Sequence, residues 1–222
     1  MIPTLGPAAA RTVQRETLIV EHKSTPIVGL LAIQGDFAKH RQAVERLGAA
    51  CREVRTIGDL SMVDALIMPG GESTTMRKLL TWEGLWNAIP HFAEAHPIMG
   101  TCAGLILLSK KVIHPKGDEP TFGLIDIDSD RNAYGSQVHS FRQPGSIQLN
   151  GSRHSLEMVF IRAPRITRVG PQVDILGRLG DEPTMVRQGN ILALTFHPEM
   201  SETTEVHEYF LAQMVRASSS RQ

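Results

Sequence analysis

The first apolar segment, Ile27-Val28-Gly29-Leu30-Leu31-Ala32-Ile33, is almost unbroken and stops at Gln34-Gly35-Asp36. A short run without alternation fits a strand buried on both faces, at the centre of a parallel sheet. Asp36 is expected to cap the following helix, with Phe37, Val44 and Leu47 turned inward and Gly48 at its C-terminal end. Cys51 to Val54 reads as a second strand and Asp64 to Met68 as a third, closed by Pro69-Gly70-Gly71. Met76, Leu79 and Leu80 have helical spacing, and Trp82 to His96 is expected as a helix presenting Leu85, Trp86, Ile89 and Phe92. Pro97-Ile98-Met99 then leads as a strand into Gly100-Thr101-Cys102-Ala103-Gly104, and Leu105, Ile106, Leu108 and Val112 lead out as a helix.

Beyond Lys111 the texture changes. Residues 123–127, 136–141 and 158–161 look like strands joined by longer polar loops, so part of the sheet is expected to be antiparallel. Residues 184–187 and 191–196 read as a hairpin across Gln188-Gly189-Asn190. A last helix from Thr203 to Val215 presents Val206, Tyr209, Phe210 and Met214. Alternating strands and helices of these lengths predict an α/β fold with a mainly parallel sheet covered on both faces.

The 222 residues suffice for one sizeable domain, expected over 26–217, with an N-terminal extension over 1–25 and a C-terminal tail over 218–222. The 23 basic side chains balance the 23 acidic ones, which gives no charge bias toward nucleic acid or an anionic membrane. Two cysteines form no disulfide framework and suit a reducing compartment, the cytoplasm, while no apolar run reaches membrane-spanning length. No cofactor is expected, and no histidine has metal-ligand spacing with another or with cysteine.

Candidate chemistry sits where apolar strands end. Gly100-x-Cys102-x-Gly104 is the cysteine counterpart of the Gly-x-Ser-x-Gly elbow, whose glycines let the turn close and lift the nucleophile off the sheet. At a helix start, the unpaired N–H groups favour thiolate. Taken alone, Cys102 reads equally as a small apolar core residue. Thr195-Phe196-His197-Pro198-Glu199 supplies a base and, two residues on, a carboxylate to orient it, although His-x-Glu by itself fits an ordinary loop. Pro69-Gly70-Gly71 is a plain tight turn or, after its strand, a place where backbone N–H groups meet an oxyanion, with Gly71 and Ala103 as donors.

Taken together, Gly-Thr-Cys-Ala-Gly, Pro-Gly-Gly-Glu-Ser-Thr-Thr, Phe-His-Pro-Glu and Ala-Ile-Gln-Gly-Asp resemble the glutaminase subunits of pyridoxal 5'-phosphate synthase, within the class I glutamine amidotransferases. The segments Arg131 to Gln137 and Phe160 to Pro164 carry the more specific part of that likeness, and His139 departs from it where relatives often have an acid. The resemblance implies a three-layer flavodoxin-like fold and hydrolysis of L-glutamine to L-glutamate and ammonia. It makes Cys102 the nucleophile, His197 the general base and acid, and Glu199 its orienting partner. It maps the glutamine site to Gly71, Glu72, Ser73, Arg131, Ile161 and Arg162. It further implies channelling of ammonia to a synthase subunit in a large ring complex, with Gln34 and the helix after it near the contact. Three other readings stay open: a glutaminase feeding a different synthase, a non-catalytic module on the same fold, and a cysteine peptidase.

Overall fold

Residues 26–113, 119–131 and 140–215 are described by the structure, a computed structural model, without the side chains of residues 213 and 214. The expectations for 1–25, 218–222, His139 and the first part of the 136–141 strand lie outside these residues.

The chain begins with β1 (Ile27–Leu31), α1 (Phe37–Arg46), β2 (Ala50–Val54), a single turn α2 (Ile57–Leu60) and β3 (Ala65–Met68). It continues through α3 (Ser73–Trp82), α4 (Leu85–Ala93), β4 (Ile98–Thr101) and α5 (Ala103–Leu108). Then come β5 (Ser109–Ile113), β6 (Ile125–Asp130), β7 (Phe141–Leu149), β8 (Ser152–Phe160), β9 (Arg165–Val169), β10 (Asp174–Leu179), β11 (Glu182–Gln188) and β12 (Ile191–Leu194). A 3-10 turn, Pro198–Met200, and α6 (Glu205–Tyr209), which widens into a π-helical segment over Phe210–Val215, complete the described chain.

Nine strands form one sheet in the order β2-β1-β3-β4-β12-β11-β10-β7-β8. Its first five strands pair in parallel and the remaining four antiparallel. Burial follows the two-residue period of a strand covered on both sides. Leu31, Leu66, Met68, Ile98, Ile191 and Ala193 pack on one face with α3, α4 and α5. Val28, Leu30, Ala65, Ile67, Met99, Leu192 and Leu194 pack on the other with α1 and α6. Each fully buried Leu, Ile or Val there stabilises the fold by about 1.5–3 kcal/mol. A three-stranded sheet, β5-β6-β9, adds Val112, Ile125, Ile127 and Ile166 to the first face.

Four details differ from the sequence reading. Asp36 holds the N-cap position of α1 but its side chain makes no capping hydrogen bond. The helix expected over Trp82 to His96 is divided, because Gly84 adopts φ 73° and ends α3 before α4 begins. Val112 lies in β5 rather than in a helix, since α5 stops after six residues where Ser109 turns extended. Its Ser109 Oγ caps that end by donating to Ile106 O at 2.7 Å. The turn α2 was not anticipated, although Thr56 and Asp59 form a reciprocal capping box around it.

Candidate active site

The loops that follow β1, β3, β4 and β12 meet at the carboxyl ends of the parallel strands, where open α/β sheets place their ligands. They surround a cleft of about 640 Å³. Gly35 takes φ 99°, and a side chain there would run into the Gly70 carbonyl, so the close approach of the loops after β1 and β3 at this point needs glycine.

Cys102 stands between β4 and α5 with φ 49° and ψ −102°, a backbone state that L residues rarely adopt and that active sites retain. Its N–H donates to Leu194 O of β12 at 2.9 Å, which pins the elbow to the neighbouring strand. The flanking glycines are required for packing: a Cβ on Gly100 would lie 2.5 Å from Leu108 Cδ1 and 2.7 Å from Gly104 C, and one on Gly104 would strike the Met68 carbonyl. The thiol is 6 % exposed, faces the cleft and lies 3.9 Å from Ile161 O. Because α5 spans only six residues, its dipole is modest, and an imidazole shares the cleft with the sulfur.

That imidazole is His197, which emerges three residues after β12 and packs flat enough that any side chain at Gly70 would collide with its ring. Glu199 Oε1 accepts from His197 Nδ1–H at 2.7 Å, and both residues are buried. Burial disfavours the imidazolium, but the neighbouring Cys102 side chain and the Glu199 carboxylate outweigh it and raise His197 to about 10. His197 Nε2 is buried and closes no hydrogen bond, which leaves it available on the cleft side. Glu199 is pulled down to about 2 against its burial, with His40 and His197 as the opposing influences. Burial also lowers His40, so the His197 cation is the partner that counts at neutral pH.

The opposite wall is built around Arg131. Its guanidinium donates to Glu72 Oε1 at 3.0 Å, Ser73 Oγ at 2.7 Å and Thr74 Oγ1 at 3.2 Å, and it also pairs with Glu119. Glu72 is the N-cap of α3, accepting from Thr74 N–H and Thr75 N–H. Those bonds outweigh its partial burial and hold it near 2, so it stays a carboxylate. Gly71, Ile161 and Arg162 line the same cleft, and Arg162, two residues after β8, takes φ 45°. Ala103 is the first residue of α5, which leaves its N–H without an intrahelical partner. Gln34 stands behind the wall, where its Oε1 accepts from Glu72 N–H at 3.0 Å and contacts the Gly71 position. Among the described residues, no group of three or more His, Cys, Asp or Glu side chains is placed to hold a metal ion.

A model of the SNO glutamine amidotransferase family matches residues 30–216. The chain belongs to this family. It is 48 % identical over 188 residues to pyridoxal 5'-phosphate synthase subunit PdxT of Deinococcus radiodurans, covering 83 % of this chain and 95 % of that one. The subunit of the same name from Thermus thermophilus is 45 % identical over 188 residues, with 83 % and 96 % covered. A crystal structure of a glutamine amidotransferase superposes with TM-score 0.77 at 42 % identity, covering 87 % of this chain and 98 % of that one. The flavodoxin-like amidotransferase fold expected from the sequence is therefore present.

Cys102, His197, Glu199, Gly71, Glu72, Ser73, Arg131, Ile161 and Arg162 all line this one cleft. The sequence reading missed Glu119, which flanks Arg131, and two interior histidines. His40 and His207 are fully or almost fully buried behind Glu199. A signal for His40 existed, since it shares helical spacing with Phe37 and Val44 on the inward face of α1.

Proposed function

We propose that the protein hydrolyses L-glutamine to L-glutamate and ammonia on Cys102 and passes the ammonia to the synthase subunit of pyridoxal 5'-phosphate synthase. The observation that carries this reading is the strained elbow of Cys102 facing the His197–Glu199 pair inside one cleft. Family membership and the PdxT relatives support the substrate and the partner.

In this reading the Cys102 sulfur attacks the side-chain amide carbon of glutamine, and the N–H groups of Gly71 and Ala103 receive the oxyanion. As the C–N bond breaks, His197 gives its proton to the departing nitrogen and ammonia leaves a thioester. Water, deprotonated by His197, then attacks the thioester carbon, releasing glutamate and restoring the thiol. Glu199 keeps the imidazole turned toward the sulfur throughout. Each oxyanion donor typically contributes a hundred- to a thousandfold in rate, on the order of 2.7–4 kcal/mol.

Glu72 and Glu119 offer acceptors for the substrate ammonium, and the α-carboxylate pairs with Arg131 by exchanging with one of the carboxylates now on it. Gln34 and the start of α1 form the contact with the synthase, where a second recess of about 610 Å³ is lined by Lys39, Gln42 and Arg46. Movement of Gln34 on docking would shift Gly71, linking partner binding to oxyanion support. The enzyme works in the cytoplasm, in keeping with its two free cysteines. Among the described residues, no helix is long and apolar enough to cross a membrane.

Glutamate release, measured with and without the synthase subunit, tests the proposal. Cys102→Ala is expected to remove all detectable activity while leaving the fold intact, and retained activity would refute the nucleophile.

A further inference from the structure

The interior side of Glu199 holds an arrangement that this mechanism does not use. His40, on α1 and 0 % exposed, places Nε2 3.3 Å from Glu199 Oε2 and 3.3 Å from Thr101 Oγ1, the side chain next to the nucleophile. Its Nδ1 lies 2.9 Å from His207 Nε2 on α6. Burying two imidazoles sacrifices hydration that an apolar pair would not lose. The terminal torsion of a glutamate is broad and roughly two-fold, so one hydrogen bond to His197 does not fix the carboxylate plane. A second contact on the other oxygen does. Glu199 Oε2 is buried and makes no hydrogen bond; His40 Nε2, in hydrogen-bond contact with Thr101 Oγ1, stands 3.3 Å from it, so a small rotation of the ring brings the Nε2–H onto the carboxylate.

We infer that His40 is a positioning residue of the triad, presenting its Nε2–H to Glu199 Oε2 so that the carboxylate stays turned toward His197. This rests on the reading of Glu199 as the residue that orients His197. The partners of the two rings set their tautomers. With the His40 hydrogen on Nε2, Nδ1 accepts from His207 Nε2–H, and the bare Nδ1 of His207 is the atom left without a partner. An unpaired acceptor is the less costly orphan. The charged and titratable groups around His40 are Glu199, His197, Asp36 at the start of its own helix and His207, with Arg46 beyond His207.

The test compares His40→Leu with His40→Gln in the full chain assayed with the synthase subunit, because a glutamine amide can restore an N–H near Nε2. The leucine variant is expected to lose tenfold to a hundredfold in kcat with KM within about twofold, in line with other supporting partners of catalytic side chains. Its acid limb of activity moves up by about one pH unit, and the glutamine variant recovers both. Equal losses in the two variants with unmoved pH profiles would mark a purely structural residue and overturn the inference. If the leucine variant fails to fold, nitrogen-15 NMR of the unsubstituted protein decides. Hydrogen on His40 Nε2 supports the assignment, and hydrogen on Nδ1 defeats it. That readout needs no turnover, so it stands apart from failure of the glutaminase reading itself.

Discussion

The two sides of the Glu199 carboxylate carry the same kind of side chain in opposite states. Toward the cleft, His197 is raised to about 10 and holds a proton. Toward the interior, burial lowers His40 and takes His207 down to about 3, so both are neutral. Desolvation opposes charge at all three. What separates them is that His197 has the carboxylate and the cysteine on either side, whereas the cation already at His197 pushes back on His40. One buried carboxylate sustains one imidazolium, and the fold has assigned it to the ring beside the nucleophile.

The largest break in this comparison comes from neutralising the carboxylate. Glu199→Gln keeps the shape but withdraws the charge that fixes the His197 tautomer, and glutamate release is expected to fall about a thousandfold or more. A variant retaining a tenth of the activity would mean that the pair does not act as a unit.

Next comes the alkylation of Cys102 by iodoacetamide, followed by mass spectrometry of its peptide. Cys102 faces the cleft that holds the glutamine-site residues, so L-glutamine is expected to slow its labelling severalfold. His197→Asn, which removes the base beside the sulfur, is expected to slow labelling too. Labelling unchanged in both cases would uncouple the sulfur from the cleft.

A smaller effect concerns stability. A base whose folded value is depressed costs nothing above its unfolded value of 6.5 and removes stability as pH falls from there toward its folded value, about 3 for His207. Each such histidine contributes a slope of about 1.4 kcal/mol per pH unit inside that window. His207→Gln should make the fall in denaturation midpoint between pH 6 and pH 4 shallower. The cleft side has the opposite sign: stability from His197 is complete below 6.5 and is lost as pH rises toward about 10. Smallest of all, Trp82→Ser, at a side chain 87 % exposed and remote from either region, should shift stability by no more than about 0.5 kcal/mol.

The same contrast governs what could be read beforehand. The parallel half of the sheet was legible because strands buried on both faces are written as unbroken apolar runs, as in Ala65–Met68 and Ile191–Leu194. The antiparallel half was read only in part, because β8 begins with four exposed residues and looks like a loop. Cys102 and Gly71 were found because glycines at 70, 100 and 104 mark close approaches that admit no Cβ, and His197 because it follows an apolar strand, whereas Arg131, Ile161 and Arg162 came only from the family resemblance. His40 and His207 carry no such punctuation. A buried histidine and a surface one are the same letter, and only the partners of His40, Glu199 and His207, 159 and 167 residues further along the chain, tell them apart.

The bond from Cys102 N–H to Leu194 O has a mechanical consequence. Leu194 is the last residue of β12, and His197 follows it by three positions, so the nucleophile beyond β4 is tied to the strand end that carries the base. When the layers of the molecule flex against each other, sulfur and ring travel in step, and the gap between them is insulated from the breathing of the cleft around them.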